Sequence, residues 1–133
     1  MTDNDLTRRA EQMRTFQPAN PVELERQIQE GNSLLETLNE ALTDVNDRRY
    51  AAEAEYLEAF NLSIDRWMSD GISATQARAK ANVEALPQYR SWLALKGEYH
   101  QLEGLSKALT TRIYSLLNIN KGVQAAYNTH RGP

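Results

Sequence analysis

Apolar residues recur along this chain in steps of three and four, and the longest such run organises the rest. Leu24, Ile28, Gly31, Leu35, Leu38, Leu42, Val45, Arg49, Ala52 and Tyr56 alternate those steps without a break, the stripe of a heptad seam. After Tyr56 the stripe slips by four residues to Phe60, Ile64 and Trp67, which would locally unwind a left-handed supercoil. Asn20 stands where an N-cap belongs and Pro21 at the first helical position. Ser69-Asp70-Gly71 closes the run, since Gly71 suits the left-handed conformation of a helix end. The pattern predicts one helix over 21–69, roughly 70 Å long at 1.5 Å per residue. A helix of that length cannot bury its stripe on itself.

Its partner is the second stripe: Trp92, Leu95, Tyr99, Leu102, Ser106, Leu109, Ile113, Leu116, Asn120, Val123 and Tyr127. This predicts a helix over 87–128 that opens at Pro87. Between the two, Ser73-Ala74-Thr75-Gln76 fits a capping box ahead of a short elbow helix over 74–86, with Ala77, Ala81 and Ala85 on its small face. The predicted fold is all-α, a long antiparallel two-helix coiled-coil hairpin with a short helical elbow. Joining the stripe ends nearest the elbow sets Trp67 beside Trp92. Counting back from there puts Tyr56 near Leu102, Val45 near Ile113, Leu38 near Asn120 and Gly31 near Tyr127. Arg49 then falls in an apolar layer with Leu109 and Ser106 and turns its charge toward Glu53 or Asp47. The polar seam residues Arg49, Ser106 and Asn120 are read as setting register rather than performing chemistry.

The ends are less constrained. Residues 1–19 read as an N-terminal arm or a short helix, capped by Asn4 and carrying Leu6, Ala10 and Met13 on one face. A helix so short folds only when docked. Gln17-Pro18-Ala19-Asn20-Pro21 interrupts any helix, because each proline disfavours the α conformation in the residue before it. The tail, 129–133, has no apolar anchor and is expected to fray.

Composition and charge narrow the chemistry. The 133 residues suit a single domain, and 41% apolar with 25% charged residues is too apolar for wholesale disorder. Without cysteine there is no disulfide or thiolate site. A polar N-terminus argues against a secretory signal, and no apolar run approaches the ~20 residues of a membrane span. The expectation is a cytoplasmic protein with no membrane association. Up to Asp70 there are seven Lys/Arg and fifteen Asp/Glu, a balance of −8; from Gly71 there are eight and three, +5. An acidic first helix and a basic second one attract each other when antiparallel. The six glycines are scattered, so no phosphate-cradling loop exists. His100 and His130 lack the spacing that puts two ligands on one helical face. The acidic residues of the first helix lie off the seam, where nothing tunes a catalytic pKa. The expectation is therefore no enzyme: no catalytic residue, no metal, no cofactor and no small-molecule substrate.

What remains is binding. Leu34, Leu57, Phe60, Leu62, Leu93, Leu105, Leu117 and Ile119 lie beside or off the seams, and Gly97 and Gly104 leave room for another helix. Leu34, Phe60, Leu93, Leu105 and Leu117 are the candidate interaction surface. A two-helix hairpin alone buries little against its chain entropy. The leading expectation is accordingly a homo-oligomer, a dimer first, or docking on a protein partner. Nucleic acid is the second partner class, through Lys96, Lys107, Arg112 and Lys121 with aromatic neighbours. The stretch Ala77-x-Ala79-x-x-x-Val83, Tyr89-x-x-Trp92-Leu93-x-x-Lys96-x-x-Tyr99-x-x-Leu102 and Lys107-x-Leu109 resembles the small helical-hairpin proteins of bacteriophages and prophages. The resemblance covers the latter half of the chain and implies an interaction module without an active site. It also implies an accessory role in recombination and replication; apart from the resemblance, an acidic first helix that mimics nucleic acid is the alternative reading of the chain as an inhibitor of a host enzyme or defence system.

Overall fold

The structure, a computed structural model, describes residues 2–15 and 20–130. It holds four helices and, among the described residues, no strand: α1 (Asp3–Thr15), α2 (Pro21–Ser69), α3 (Ala74–Glu84) and α4 (Leu86–His130). The long helices α2 and α4 pack against each other as an all-α hairpin. The N-terminal segment is a helix, and its apolar face, Leu6, Ala10 and Met13, is buried. The proline-rich linker at 17–19 and the end of the tail at 131–133 lie outside the described residues.

Local chemistry accounts for each boundary. Thr2, rather than Asn4, caps α1: its hydroxyl accepts from the Asp5 N–H at 3.2 Å while the Asp5 carboxylate accepts from the Thr2 N–H at 3.2 Å. Asn20 caps α2, its side-chain oxygen accepting from the Glu23 N–H at 2.9 Å. Gly71 closes α2 at φ +86°, with Ile72 N–H on the Trp67 carbonyl and Gly71 N–H on that of Met68, the two bonds of a Schellman motif. Ser73 caps α3, accepting from the Gln76 N–H at 3.3 Å. Ala85 then breaks the rod at φ −88°, ψ 6°. Pro87 lacks the N–H that would continue α3 into α4.

The chain divides into two compact units. The first comprises α1, α2 as far as Ala41, and α4 from Leu102. Here α1 makes a three-helix arrangement: Arg9, Gln12 and Met13 share a groove with Gln27, Glu30 and Leu34 of α2. Ala10, Glu11 and Arg14 lie beside Leu105, Ala108, Leu109 and Arg112 of α4. Gly31 is where the three helices converge. A Cβ built there would stand 3.0 Å from Ile113 Cγ1 and 3.1 Å from Met13 Sδ, so only hydrogen lets both neighbours close. Ser106 Oγ donates to Asn39 Oδ1 at 3.4 Å in the same unit.

The second unit runs from Leu42 to Gln101 and contains α3. Ala77, Ala81 and Ala85 are fully buried, four residues apart on one face. The Arg49 guanidinium lies 4.3 Å from the Tyr99 ring centre, Tyr56 stacks on Trp92 at 5.7 Å, and Ser63 donates to Glu84. These pairs, with Gly31–Ile113 in the first unit, correct the register expected from the stripe ends. Trp92 meets Tyr56, not Trp67, and Ile113 meets Gly31, not Val45. Eleven residues separate Tyr56 from Trp67, about 16 Å of helix. The cause is α3: the return begins at Gly71, and α3 itself occupies the place opposite the end of α2. Arg49 is corrected too. It donates to Asn46 Oδ1 at 2.7 Å and covers Tyr99, rather than sitting among Leu109 and Ser106.

Candidate interaction face

The second unit carries a group of rings: Tyr56 and Phe60 on α2, Tyr89 and Trp92 on α4. Tyr56 is the centre of the cluster, 5.9 Å from Phe60, 5.2 Å from Tyr89 and 5.7 Å from Trp92, and Tyr89 meets Trp92 edge-on at 6.0 Å. Such offset and edge contacts contribute ~0.5–1.5 kcal/mol per pair beyond the area they bury. The cluster is not sealed. Tyr89 is exposed, and Tyr56, Phe60 and Trp92 are half-buried. In the same unit Tyr50, Leu57 and Leu93 are 57%, 47% and 44% exposed. Asn82, Leu86, Tyr56 and Tyr89 line an open groove there.

Toward the Gly71 turn the same unit carries a polar clasp. The Glu84 carboxylate accepts from the Ser63 hydroxyl, from Arg66 and from Trp67 Nε1 at 3.1 Å. The Ser63 hydrogen bond foremost holds the Glu84 carboxyl below its ordinary value; burial opposes it as the second-largest effect, and the charge of Arg66 with the Trp67 and Arg66 N–H groups adds to the lowering. Ser63 is itself buried, and Glu84 supplies the partner its hydroxyl requires. Lys80 Nζ lies 4.5 Å from the Trp67 ring centre, so the indole is held at both its N–H and its face. The clasp joins α3 to α2, which is why the return arm stays in register.

The structure scatters the residues singled out from the sequence. Leu34, expected on the interaction surface, is 3% exposed beside Met13 of α1, so it belongs to the core of the first unit. Leu105 is half-buried next to Ala10, and Leu117 is half-buried as well. Of the five, Phe60 and Leu93 lie on the face just described. Of the basic residues, Lys96 Nζ sits 5.3 Å from the Trp92 ring centre, Lys107 pairs with Glu103 at 3.5 Å, Arg112 is half-buried beside α1, and Lys121 is exposed. Asn120 lines a groove with Pro21, Glu25 and Val123 in the first unit. Tyr50 was missed from sequence because it follows Arg49 in the seam. Its seven-residue spacing to Leu57 and Ile64 is the signal that marks it.

Among the described residues no helix is long and apolar enough to cross a membrane, and no three His, Asp or Glu side chains converge as metal ligands. No family model, curated protein or solved structure matches the chain.

Proposed function

We propose that the chain is a non-enzymatic helical interaction module that binds protein through the aromatic face of its second unit. One observation carries the reading: Tyr50, Leu57, Tyr89 and Leu93 stand exposed in the unit of α2, α3 and α4 that carries the ring cluster. Contiguous exposed apolar patches beyond a few hundred Å² are uncommon on monomers and mark binding surfaces. An accessory protein of a phage, the setting implied by the sequence resemblance, is a natural home for such a module. Nucleic acid is the weaker partner class. Lys107 is engaged by Glu103 and Lys96 by Trp92, which leaves few basic groups for phosphate.

The test is retention from a cell lysate on immobilised wild type and on a Leu57→Glu/Leu93→Glu double variant, each with and without nuclease. Protein retained by wild type after nuclease, and lost on the double variant, is the expected result. Retention that nuclease abolishes moves the assignment to nucleic acid. Equal retention on both proteins rules out this face. A stoichiometric enzyme among the retained proteins would make the module an inhibitor.

A further inference from the structure

The α2 arm of the second unit carries more acid than its own cations answer. Between Leu42 and Ser69 it holds Asp44, Asp47, Glu53, Glu55, Glu58 and Asp65 against Arg48, Arg49 and Arg66. Each of those cations is engaged: Arg48 with Asp44 at 3.8 Å, Arg49 with Asn46 and the Tyr99 ring, Arg66 with Glu84. Among the described residues Asp47, Glu53, Glu55, Glu58 and Asp65 carry no ion pair. At 100° per residue Asp47, Glu55, Glu58 and Asp65 fall within about 80° of arc, along about 27 Å of helix. The centre of that arc lies about 120° or more round α2 from Tyr56, Leu57 and Phe60, so it is a different face from the one that carries the rings.

Within the arc Glu55, Glu58 and Leu62, with Ala59 beside them, line an open groove shared with Gln88 of α4. Glu55 and Glu58 are exposed, and so is Leu62, at 61%. Gln88 Oε1 is buried and accepts no hydrogen bond. A buried acceptor without a donor disfavours the fold until something donates to it. The terminal torsion of a glutamine is broad, so the oxygen is free to turn toward a donor that enters the groove.

We infer that this groove seats an arginine side chain from a basic segment of a protein partner, a contact separate from the aromatic face. A guanidinium carries five N–H donors in a planar fork, enough to bond a Glu55 or Glu58 carboxylate and the Gln88 carbonyl together. Its apolar stem has Leu62 and Ala59 to lie on. A lysine ammonium supplies the charge without the fork. Asp47 and Asp65 extend the negative row on either side, where further basic residues of the same segment meet it and association is steered. The same row repels phosphate, so neither nucleic acid nor an anionic headgroup fits this face.

Fluorescence anisotropy of the full chain with fluorescein-labelled octa-arginine and octalysine tests the seat. Octa-arginine is expected to bind several-fold tighter than octalysine. The double variant Glu55→Gln/Glu58→Gln should weaken octa-arginine about tenfold, since an exposed ion pair is worth about threefold. Glu36→Gln/Glu53→Gln removes the same charge away from the groove and should change affinity less than about twofold. Gln88→Met keeps volume and charge but removes the carbonyl, so thermal stability should hold or rise while the preference for arginine over lysine disappears. Absence of binding, or equal affinity of wild type for the two peptides, overturns the arginine seat. Equal losses in the two double variants assign binding to overall charge and overturn the groove. A preference for arginine that survives Gln88→Met overturns the part given to Gln88. None of these results bears on the lysate experiment, which decides the aromatic face separately.

Discussion

In the first unit a third helix lies beside the α2–α4 seam, and among the described residues the five large side chains with less than 2% exposure, Leu6, Leu24, Leu38, Leu102 and Leu116, all belong there. The second unit buries mainly small residues, Ala52, Ala77, Ala81, Ala85 and Val45. It leaves Tyr50, Leu57, Leu62, Met68, Val83, Tyr89 and Leu93 exposed, seven of the eleven large apolar side chains that are exposed among the described residues. The same two long helices pass through both. The difference is geometrical: an amphipathic stripe is ≳100° wide, whereas one neighbouring helix covers only a narrow seam. Where α1 supplies a second neighbour the flank becomes core. In the second unit α3 meets the end of α2, the flank around Leu57 stays a surface, and ring contacts and the Glu84 clasp hold the helices there.

The largest expected effect separates the two units directly. Leu38→Ala or Leu102→Ala, at 0% and 1% exposure, should each cost about 2–5 kcal/mol in urea melts of dilute protein. Leu57→Ala, in the second unit, should stay within about 1 kcal/mol under the same conditions. Similar losses at all three positions would mean that the units do not differ in packing.

A smaller effect is expected at the convergence of the three helices. Gly31→Leu forces side-chain atoms into the space held by Ile113 and Met13 and should cost about 1–3 kcal/mol. Hydrogen exchange should rise in α1 first, because a 13-residue helix is not stable undocked. An unchanged exchange rate there would show that α1 does not depend on the Gly31 notch.

The smallest effect is a pH dependence confined to the second unit's clasp. The folded Glu84 carboxyl titrates below its ordinary value of 4.5, so its contribution is full above that value and is lost as pH falls through the lower folded value. Glu84→Gln should lower Tm at neutral pH, and its difference from wild type should shrink on acidification. A difference that stays constant down to the acid limb would assign the clasp to packing rather than charge.

Much of this was legible in the sequence because it is local. The caps at Asn20 and Ser73 and the turn at Gly71 act over four to six residues, and a three-and-four period names the seam without knowledge of what it faces. Leu24, Leu38, Val45, Leu102, Leu109, Ile113 and Leu116 are buried as that period requires. The candidate face was legible only in part: Phe60 and Leu93 stood out as surplus, whereas Leu34 carried the same signal and proved to be core.

What the tertiary structure alone decided is everything that depends on a second element. Two heptad stripes match nearly as well after a shift of seven or fourteen residues, so periodicity cannot choose among registers. The choice fell to α3, whose alanine face packs beside the end of α2, and to the Glu84 bonds that hold it there. Likewise an apolar residue beside a seam is the same in sequence whether a third helix reaches it or not. Leu34 is covered because α1 docks on the first unit, and Leu57 is exposed because no helix docks beside it. Burial of a flank is a property of neighbours far away in the chain, and local pattern does not encode them.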